Sequence, residues 1–497
     1  MLLILFFYLL IMPVSLASSG QSIIDKKVLH IGLTLEPESL DPTTHASTAI
    51  QRITYQNVFE GLTQINQQGQ VVPSLAKSWT VSEDALTYTF LLQSGVYFHN
   101  GVLLTPDIVK YSLLRLANQA GNNPIKEKFQ HIEKVELING NKLRVQLKWV
   151  DRYFLFNLGL ANAVIQEPSN QKKNTENPIG TGPYTFQTWN KGSFLTLRAN
   201  SNYWQAQPPI KQIKITFAPT RAEVDKLFSE SIIDGYGTMS EINFLQTLAI
   251  EAPYKQTLGR TQGEIIIAFN HKNAMLASLP VRQAISYAID KQKIKSSMQL
   301  GAGELISSFF PAHQAGSLDI NSGYSFDLSK AKALMEASNV NIKPLRLLVP
   351  PPAYARYTSV HISQMLEQID IPINVELVTW QQWVQRVYIE KDYDLTVIAH
   401  TEANDLEIYA KNNYYFNYNN TEYKQVIAQL IKTTNKQQLT QLQLKAQRLL
   451  VKDAASVFLF MLPKIGLWDS RLHGYWVDEP LPALIFSQFF WDDNTNE

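Results

Sequence analysis

The stretch between residues 58 and 101 decides the fold, and it contains four short blocks: Val58-Phe59-Glu60-Gly61-Leu62, Val72-Pro73-Ser74-Leu75-Ala76-Lys77-Ser78-Trp79, Leu86-Thr87-Tyr88-Thr89-Phe90 and Val96-Tyr97-Phe98-His99-Asn100-Gly101. The third block alternates apolar and polar residues with the period of a half-buried strand. Gly61, Gly69, Gly95 and Gly101 separate the blocks as turn residues do. Each block alone fits many folds, so the information lies in their order and spacing.

Composition limits the classes of protein to consider. The chain has 497 residues, enough for about two or three domains. Its 44 basic and 43 acidic residues give a formal net charge of +1, which provides no broad basic surface, so nucleic acid is not an expected partner. The chain has no cysteine. This excludes disulfides, thiolate metal sites and thiol nucleophiles.

The first 17 residues have the features of a secretory signal peptide. Residues 1–16 are largely apolar, and Ser15-Leu16-Ala17 forms a small-x-small cleavage site before the polar Ser18-Ser19-Gly20. The run lacks a preceding Lys or Arg, which is unusual for a signal peptide. An uncleaved anchor is the competing interpretation, and the short length of the apolar run argues against it. No cysteine follows the cleavage site, and a lipid anchor is therefore not expected. We predict an exported, periplasmic protein.

Two later motifs are as informative as the four blocks above: Gly180-Thr181-Gly182-Pro183-Tyr184 and Asn200-Ser201-Asn202-Tyr203-Trp204. With the four blocks above, they resemble the family 5 extracellular solute-binding proteins, the peptide- and nickel-type proteins that serve ABC importers. The resemblance covers nearly all of the mature chain. It implies an α/β, two-lobed periplasmic-binding-protein (venus-flytrap) fold with a small satellite domain inserted in the first lobe. It also implies a monomer with no cofactor and no catalytic role.

Domain boundaries follow from the same resemblance. We expect lobe one at 28–268, with the satellite domain at about 65–180, lobe two at 269–464, and a return to lobe one at 465–497. The lobes are expected to close about crossings near Asn270 and Lys464. Within the satellite domain, Asn139-Gly140 predicts a tight hairpin turn, and Thr105 with Pro106 predicts the start of a helix.

The second lobe alternates predicted strands and helices, which favours a largely parallel sheet covered by helices. The elements are a strand at Leu345 to Val349, a helix at Ser359 to Ile369, a strand at Ile373 to Val378, a helix at Trp380 to Tyr388 and a strand at Tyr393 to Ala399. A Gln-rich stretch near 437–447 lies on a later helix, and we expect its glutamines to form the solvated face.

Candidate ligand-binding residues follow the last of these strands, in the loop His400-Thr401-Glu402-Ala403-Asn404-Asp405. Open α/β sheets bind ligands at the carboxyl ends of their strands. Members of the resembled family usually have Gly-Trp here and then an Asp that receives a peptide's ammonium group. This chain has Ala399-His400, and the acidic position aligns with Glu402, Ala403 or Asp405. We expect His400, Glu402, Asn404 and Asp405 to contact the ligand; a solvated acidic loop is the alternative.

The resemblance adds three more candidates. Glu36 and Ser39 lie in a loop that borders the ligand in family members, although a rigid strand-to-helix connection explains them equally well. Trp383 lies where family members place an aromatic wall, and packing with Trp380 competes with that role. Dipeptide-binding members use an Arg at a neighbouring strand end, where this chain has three prolines and Arg356 as the nearest substitute. This difference argues against short peptides with a free carboxylate.

The predicted function is therefore capture of a peptide or similar small solute between two lobes, for delivery to an ABC permease in the inner membrane. A nickel or metal-chelate cargo is an alternative, because His400, Glu402 and Asp405 offer nitrogen and oxygen ligands. An enzyme or a ligand-sensing module on the same fold is a further alternative. Neither a Gly-x-Ser-x-Gly elbow nor a His-Glu-x-x-His motif occurs, and no resident metal is expected.

Overall fold

Strands and helices alternate along the described part of the chain, which in this computed structural model comprises residues 27–45, 47–239, 253–297, 303–314, 316–402 and 405–492. The strands are β1 (Val28–Leu33), β2 (Thr63–Ile65), β3 (Val71–Pro73), β4 (Ala76–Val81), β5 (Thr87–Leu92), β6 (Ile132–Ile138), β7 (Lys142–Leu147), β8 (Tyr184–Asn190), β9 (Phe194–Ala199), β10 (Gln212–Phe217), β11 (Gly235–Met239), β12 (Tyr254–Phe269), β13 (Leu345–Val349), β14 (Ile373–Leu377), β15 (Leu395–His400), β16 (Ser456–Asp469), β17 (Leu472–His473) and β18 (Phe490–Trp491).

The helices in the same ranges are α1 (Thr48–Thr54), α2 (Pro106–Ala117), α3 (Phe154–Asn157), α4 (Arg221–Ser229), α5 (Leu279–Ala288), α6 (Lys291–Ser297), α7 (Leu328–Ser338), α8 (Ala353–Glu367), α9 (Trp380–Trp383), α10 (Thr421–Lys432) and α11 (Lys436–Lys452). Within these ranges, none of the helices has both the length and the apolar character needed to cross a bilayer. The predicted signal peptide (1–17) and Asn404 lie outside the described residues.

One ten-stranded sheet joins the two halves of the protein, in the order β14-β13-β15-β12-β16-β11-β1-β10-β9-β8. The strands β13, β14 and β15 are parallel, which confirms the prediction from the βαβ rhythm. The two longest strands, β12 and β16, run antiparallel to each other at the centre. Because β12 and β16 extend through both halves, they form the physical connection between the lobes.

Strand β12 is buried on both faces in its second half. Ile265 and Ile267 belong to one apolar cluster, and Ile266 and Ala268 belong to another on the opposite face. A strand covered on both faces has a continuous apolar run instead of an alternating one. This explains the sequence Ile265-Ile266-Ile267-Ala268-Phe269.

A second sheet, β4-β5-β7-β6, has its own apolar core and is called the satellite sheet below. Two local predictions are confirmed in it. Gly140 lies in the turn between β6 and β7 with φ of +78°. Thr105 caps α2 by accepting a hydrogen bond from the Ile108 amide at 3.4 Å, and Pro106 is the first helical residue. The outer boundaries of the satellite domain, at about 65–180, stay a prediction.

The Glu60 carboxylate ties three of the sequence motifs together. It is 1% exposed and accepts hydrogen bonds from Thr181 Oγ1 at 2.7 Å, Tyr203 Oη at 2.9 Å and Trp204 Nε1 at 2.9 Å. Burial raises the pKa of Glu60 to about 7, although the three hydrogen bonds oppose that rise. Gly180 is needed beside this site, because a Cβ there would lie 1.9 Å from the Val58 carbonyl oxygen.

Three second-lobe predictions need correction. The helix α8 begins at Ala353 and not at Ser359, because the Pro352 carbonyl already accepts bonds from the Ala355 and Arg356 amides. The helix predicted to Tyr388 is α-helical to Trp383 and π-helical over 384–389. The last parallel strand begins and ends later than predicted, and His400 is its final residue.

The prediction of a solvated glutamine face on α11 is wrong for Gln443 and Gln447, which are both buried. Gln447 accepts hydrogen bonds from Ser308 Oγ at 2.8 Å and the Leu318 amide at 3.0 Å, and it donates to the Gly316 carbonyl at 2.6 Å. A glutamine that satisfies a loop in this way can be buried at little cost.

The structure locates the irregular part of the lobe crossing before Asn270, one of the two crossing residues predicted from the sequence. The β12–β16 ladder changes register between Arg260 and Glu264, whereas Asn270 follows the end of β12 and donates to the Lys391 and Tyr393 carbonyls. Lys464 lies opposite Gly259, beside the irregular region. Closure about this region stays a prediction.

Replacement of Glu60 by alanine should lower the free energy of unfolding by about 2–3 kcal/mol, because the buried Thr181 hydroxyl and the half-buried Tyr203 and Trp204 donors would lose their acceptor. Urea denaturation followed by tryptophan fluorescence measures the change. Glu83→Ala removes an exposed carboxylate from the same lobe and serves as the control. Equal stability of the two variants would contradict the role assigned to Glu60.

Candidate functional site

A narrow cleft lies between Tyr153, at the satellite sheet's end of lobe one, and residues of the second lobe. Its lining comprises Tyr153, Glu264, Phe309, Phe310, Pro311, Gln314, Asp405, Leu406, Glu407, Ile427, Leu430, Ile431 and Gln443. The cleft has room for about one water molecule. The structure is therefore that of a closed cleft.

Contacts across the cleft hold it closed. The Arg152 amide donates to the Ile431 carbonyl at 3.0 Å, and Arg152 Nη1 donates to the Thr433 carbonyl at 3.0 Å. Both acceptors lie at the C-terminal end of α10, where the helix dipole favours a cation. Ion pairs between Lys128 and Glu407 (3.6 Å) and between Lys411 and Glu127 (3.4 Å) join the same two surfaces.

Two buried carboxyl groups face this cleft. Glu264 of β12 is 1% exposed and Asp405 is 8% exposed, and among the described residues neither Glu264 Oε2 nor Asp405 Oδ2 has a hydrogen-bond partner. Burial raises the pKa of both groups well above the usual range, and repulsion from neighbouring carboxylates adds to the effect. A positively charged ligand would favour the ionised form of both groups, because a nearby opposite charge stabilises a carboxylate.

His400 lies beside this pair, opposite Glu264 in the β12–β15 ladder. Its Nε2 is 2.9 Å from the Tyr415 hydroxyl oxygen, and its ring stacks on Tyr415 with centroids 6.1 Å apart. Burial lowers the pKa of His400 to about 4, so the imidazole is neutral. A neutral imidazole adds no positive charge that would balance the carboxyl groups.

Three of the predicted residues come together in space. His400, Glu402 and Asp405 each offer one ligand atom, and these atoms all lie within 4.8 Å of one another. Glu402 is exposed at the edge, while the other two are buried. A nitrogen and two carboxylate oxygens at this spacing suit a small divalent cation as well as an organic cation.

The remaining predicted residues lie elsewhere. Glu36 accepts hydrogen bonds from Trp189 Nε1 and the Gly192 amide at 2.8 Å each, and Ser39 Oγ accepts from the Asp41 amide at 3.1 Å. Both side chains therefore shape their own part of lobe one, and neither lines the cleft described here.

Trp383 is buried and packs within the second lobe. Its Nε1 donates to Thr396 Oγ1 at 3.0 Å, and its ring lies 6.0 Å from Trp380 and 5.7 Å from Tyr415. It is not among the residues that line the cleft. Any effect of Trp383 on binding would pass through the packing of Tyr415, which holds His400. Arg356 is exposed in the first turn of α8, so it does not occupy a strand end.

The sequence interpretation missed Glu264. It is an acidic residue at the start of the apolar run Glu264 to Phe269. The signal was present, since a charged residue in a strand that is otherwise buried on both faces requires a partner or a function. The residues from the satellite side, such as Tyr153, carried no comparable signal.

Comparisons with known proteins agree with this architecture. Residues 70–423 match the family model for bacterial extracellular solute-binding proteins, family 5. The probable D,D-dipeptide-binding periplasmic protein of Escherichia coli is 25% identical over 93% of this chain and 94% of its own length. The nickel-binding periplasmic protein of Escherichia coli is 28% identical, over 59% of this chain and 57% of its own length. The chain therefore matches just over half of that relative.

Solved structures show the same fold. The oligopeptide-binding protein AppA of Bacillus subtilis, in complex with a nonapeptide, superposes with a TM-score of 0.80 at 19% identity, covering 94% of this chain and 99% of its own. NikZ of Campylobacter jejuni, in complex with Ni(L-His), gives a TM-score of 0.81 at 19% identity, covering 94% of this chain and all of its own. The predicted two-lobed α/β fold is thus confirmed.

Replacement of Arg152 by alanine should weaken the closed state by about 1–2 kcal/mol, because the hydrogen bond to the Thr433 carbonyl is lost. Small-angle scattering of the protein with its co-purified solute should give a larger radius of gyration for this variant than for wild type. The control is Arg144→Ala, which removes a half-exposed arginine from the satellite sheet. A radius identical to that of wild type would count against Arg152 as a closing contact.

Proposed function

The chain belongs to family 5 of the bacterial extracellular solute-binding proteins, and from this membership we propose that it captures a small, positively charged solute in the cleft between its lobes. Proteins of this family are extracytoplasmic and serve ABC importers. The observation that carries the proposal is the pair of buried carboxyl oxygens, on Glu264 and Asp405, that have no partner among the described residues.

The physical argument concerns the cost of burial. A carboxyl group removed from water without a hydrogen-bonding or charged partner is unfavourable, and folded proteins rarely keep such groups without a reason. A cationic group on the cargo would supply the missing partner through a charge-assisted hydrogen bond. In a closed cleft this bond is stronger than in water, because the surroundings have a lower dielectric constant.

The proposed cargo is a peptide or a similar solute with an ammonium group. Peptide-binding relatives support this class. The exposed position of Arg356 supports a cargo that needs no carboxylate clamp at that place. We further propose that the mature protein is a periplasmic monomer without enzymatic activity, that it begins after Ala17, and that it delivers its cargo to a permease of the inner membrane.

A metal ion or metal chelate is the second candidate cargo. The spacing of the His400, Glu402 and Asp405 ligand atoms favours it, and a nickel-binding protein is among the relatives. The neutral state of His400 suits metal coordination, since only the unprotonated imidazole binds a metal ion. Elemental analysis of the purified protein separates this candidate from an organic cargo.

Removal of both loop carboxylates, by Glu402→Gln with Asp405→Asn, should weaken cargo binding by about 1.5–3 kcal/mol, the range for hydrogen bonds to charged groups. The cargo is first identified by mass spectrometry of the solute that co-purifies, and affinity is then measured by calorimetric titration.

The matched control for this experiment is Glu367→Gln with Glu422→Gln, which removes two exposed carboxylates from helices of the same lobe. Its affinity should equal that of wild type, and both double variants should fold. If the loop variant binds as tightly as this control, the loop is only a solvated acidic segment and the proposed site is wrong.

A further inference from the structure

Glu264 occupies an unusual place for a charged residue. It lies within β12, one of the two strands that connect the lobes, with His400 of β15 on one side of the ladder and Met461 of β16 on the other. The register of the β12–β16 pair shifts between Arg260 and Glu264. The residue is therefore fixed by the sheet on both sides and located at the irregular part of the crossing.

A structural role does not account for this carboxyl group. Glu60 shows how the protein treats a buried carboxylate that serves the fold, because three side-chain donors surround it. By contrast, Glu264 Oε2 has no partner in the described ranges and lines the cleft. The neighbouring charges that act on Glu264 most strongly are Asp405 and Glu402, which have the same sign.

Charge balance then indicates the kind of cargo. A solute with one positive group can balance either Glu264 or Asp405, and the other carboxyl group remains buried without a counter-charge. A solute with two positive groups balances both. Buried charges contribute favourably only when they are paired and hydrogen-bonded, so the second positive group should increase affinity in this cleft.

The surroundings of the two carboxyl groups also suit cations. Phe309 lines the cleft, and its ring lies 5.2 Å from that of Tyr409 and 5.4 Å from that of His400. Aromatic faces attract ammonium and guanidinium groups. These rings also exclude water, which strengthens any charge pair formed beside them.

We propose that Glu264 is a specificity-determining residue that acts with Asp405 to receive two positive groups of the cargo, so that the protein prefers a dicationic solute. For a peptide, these groups are the α-ammonium and a basic side chain close to it. The proposal rests on the function proposed above and specifies the charge of the cargo that this site selects.

The test uses three peptides that differ in positive charge: N-acetyl-trialanine, trialanine and Lys-Ala-Ala. Calorimetric titration of wild type should show at least tenfold tighter binding of Lys-Ala-Ala than of trialanine. In Glu264→Gln, which keeps the shape of the side chain, the ratio of the affinities for Lys-Ala-Ala and trialanine should fall to about one. Glu422→Gln is the control for loss of one carboxylate and should keep the preference.

Asp405→Asn provides a second variant in case Glu264→Gln does not fold, and it should remove the same preference. Equal affinities of wild type for trialanine and Lys-Ala-Ala, or a preference that persists in a folded Glu264→Gln protein, would overturn the inference and leave the proposed function standing. If none of the peptides binds, the number of positive groups on the co-purified solute tests the inference. A solute with two positive groups supports the inference, and one with fewer overturns it. Absence of any bound small solute counts against the proposed function itself.

Discussion

The contacts of the Glu60 carboxylate are the interaction on which the arrangement of lobe one depends. Three donors from two distant motifs converge on its oxygens, and its backbone carbonyl accepts a hydrogen bond from the Ile165 amide at 2.9 Å. The residue thereby fixes the chain on both sides of the satellite sheet. The segment that follows this sheet contains Arg152 and Tyr153, which close the cleft against the second lobe. This buried hydrogen-bond network therefore helps to position the part of lobe one that carries Tyr153 to the cleft.

The contrast between Glu60 and the pair Glu264 and Asp405 separates structural from functional burial. All three carboxyl groups are removed from water, and burial raises the pKa of each. Only Glu60 has its full set of donors within the protein. The two groups in the cleft each retain an oxygen without a partner among the described residues, and a bound cation would satisfy them. The rule that buried polar groups need partners thus explains Glu60 as a stabilising residue and makes Glu264 and Asp405 candidate ligand-binding residues.

The sequence predicted the fold well where local patterns decide the structure. The Asn139-Gly140 turn, the Thr105 cap and the parallel strands β13 to β15 all depend on short segments, and all are confirmed. The strand-end rule selected the loop after β15, and of the residues predicted there Asp405 lines the cleft, whereas His400 does not. It could not identify Glu264, because that residue comes from a strand far away in sequence. Burial of Gln447 and Trp383 was also missed or left open, since the partners that satisfy them, such as Ser308 and Thr396, lie on other segments.

The central claim is that the buried carboxyl groups of the cleft receive the positive charge of a captured solute. A crystal structure of the protein with its co-purified solute tests this claim most directly. The account predicts a cationic nitrogen or a metal ion of the solute within bonding distance of Asp405 Oδ2 or Glu264 Oε2, at about 3 Å for a nitrogen. A solute bound elsewhere, with both carboxyl oxygens still without a partner, would contradict it.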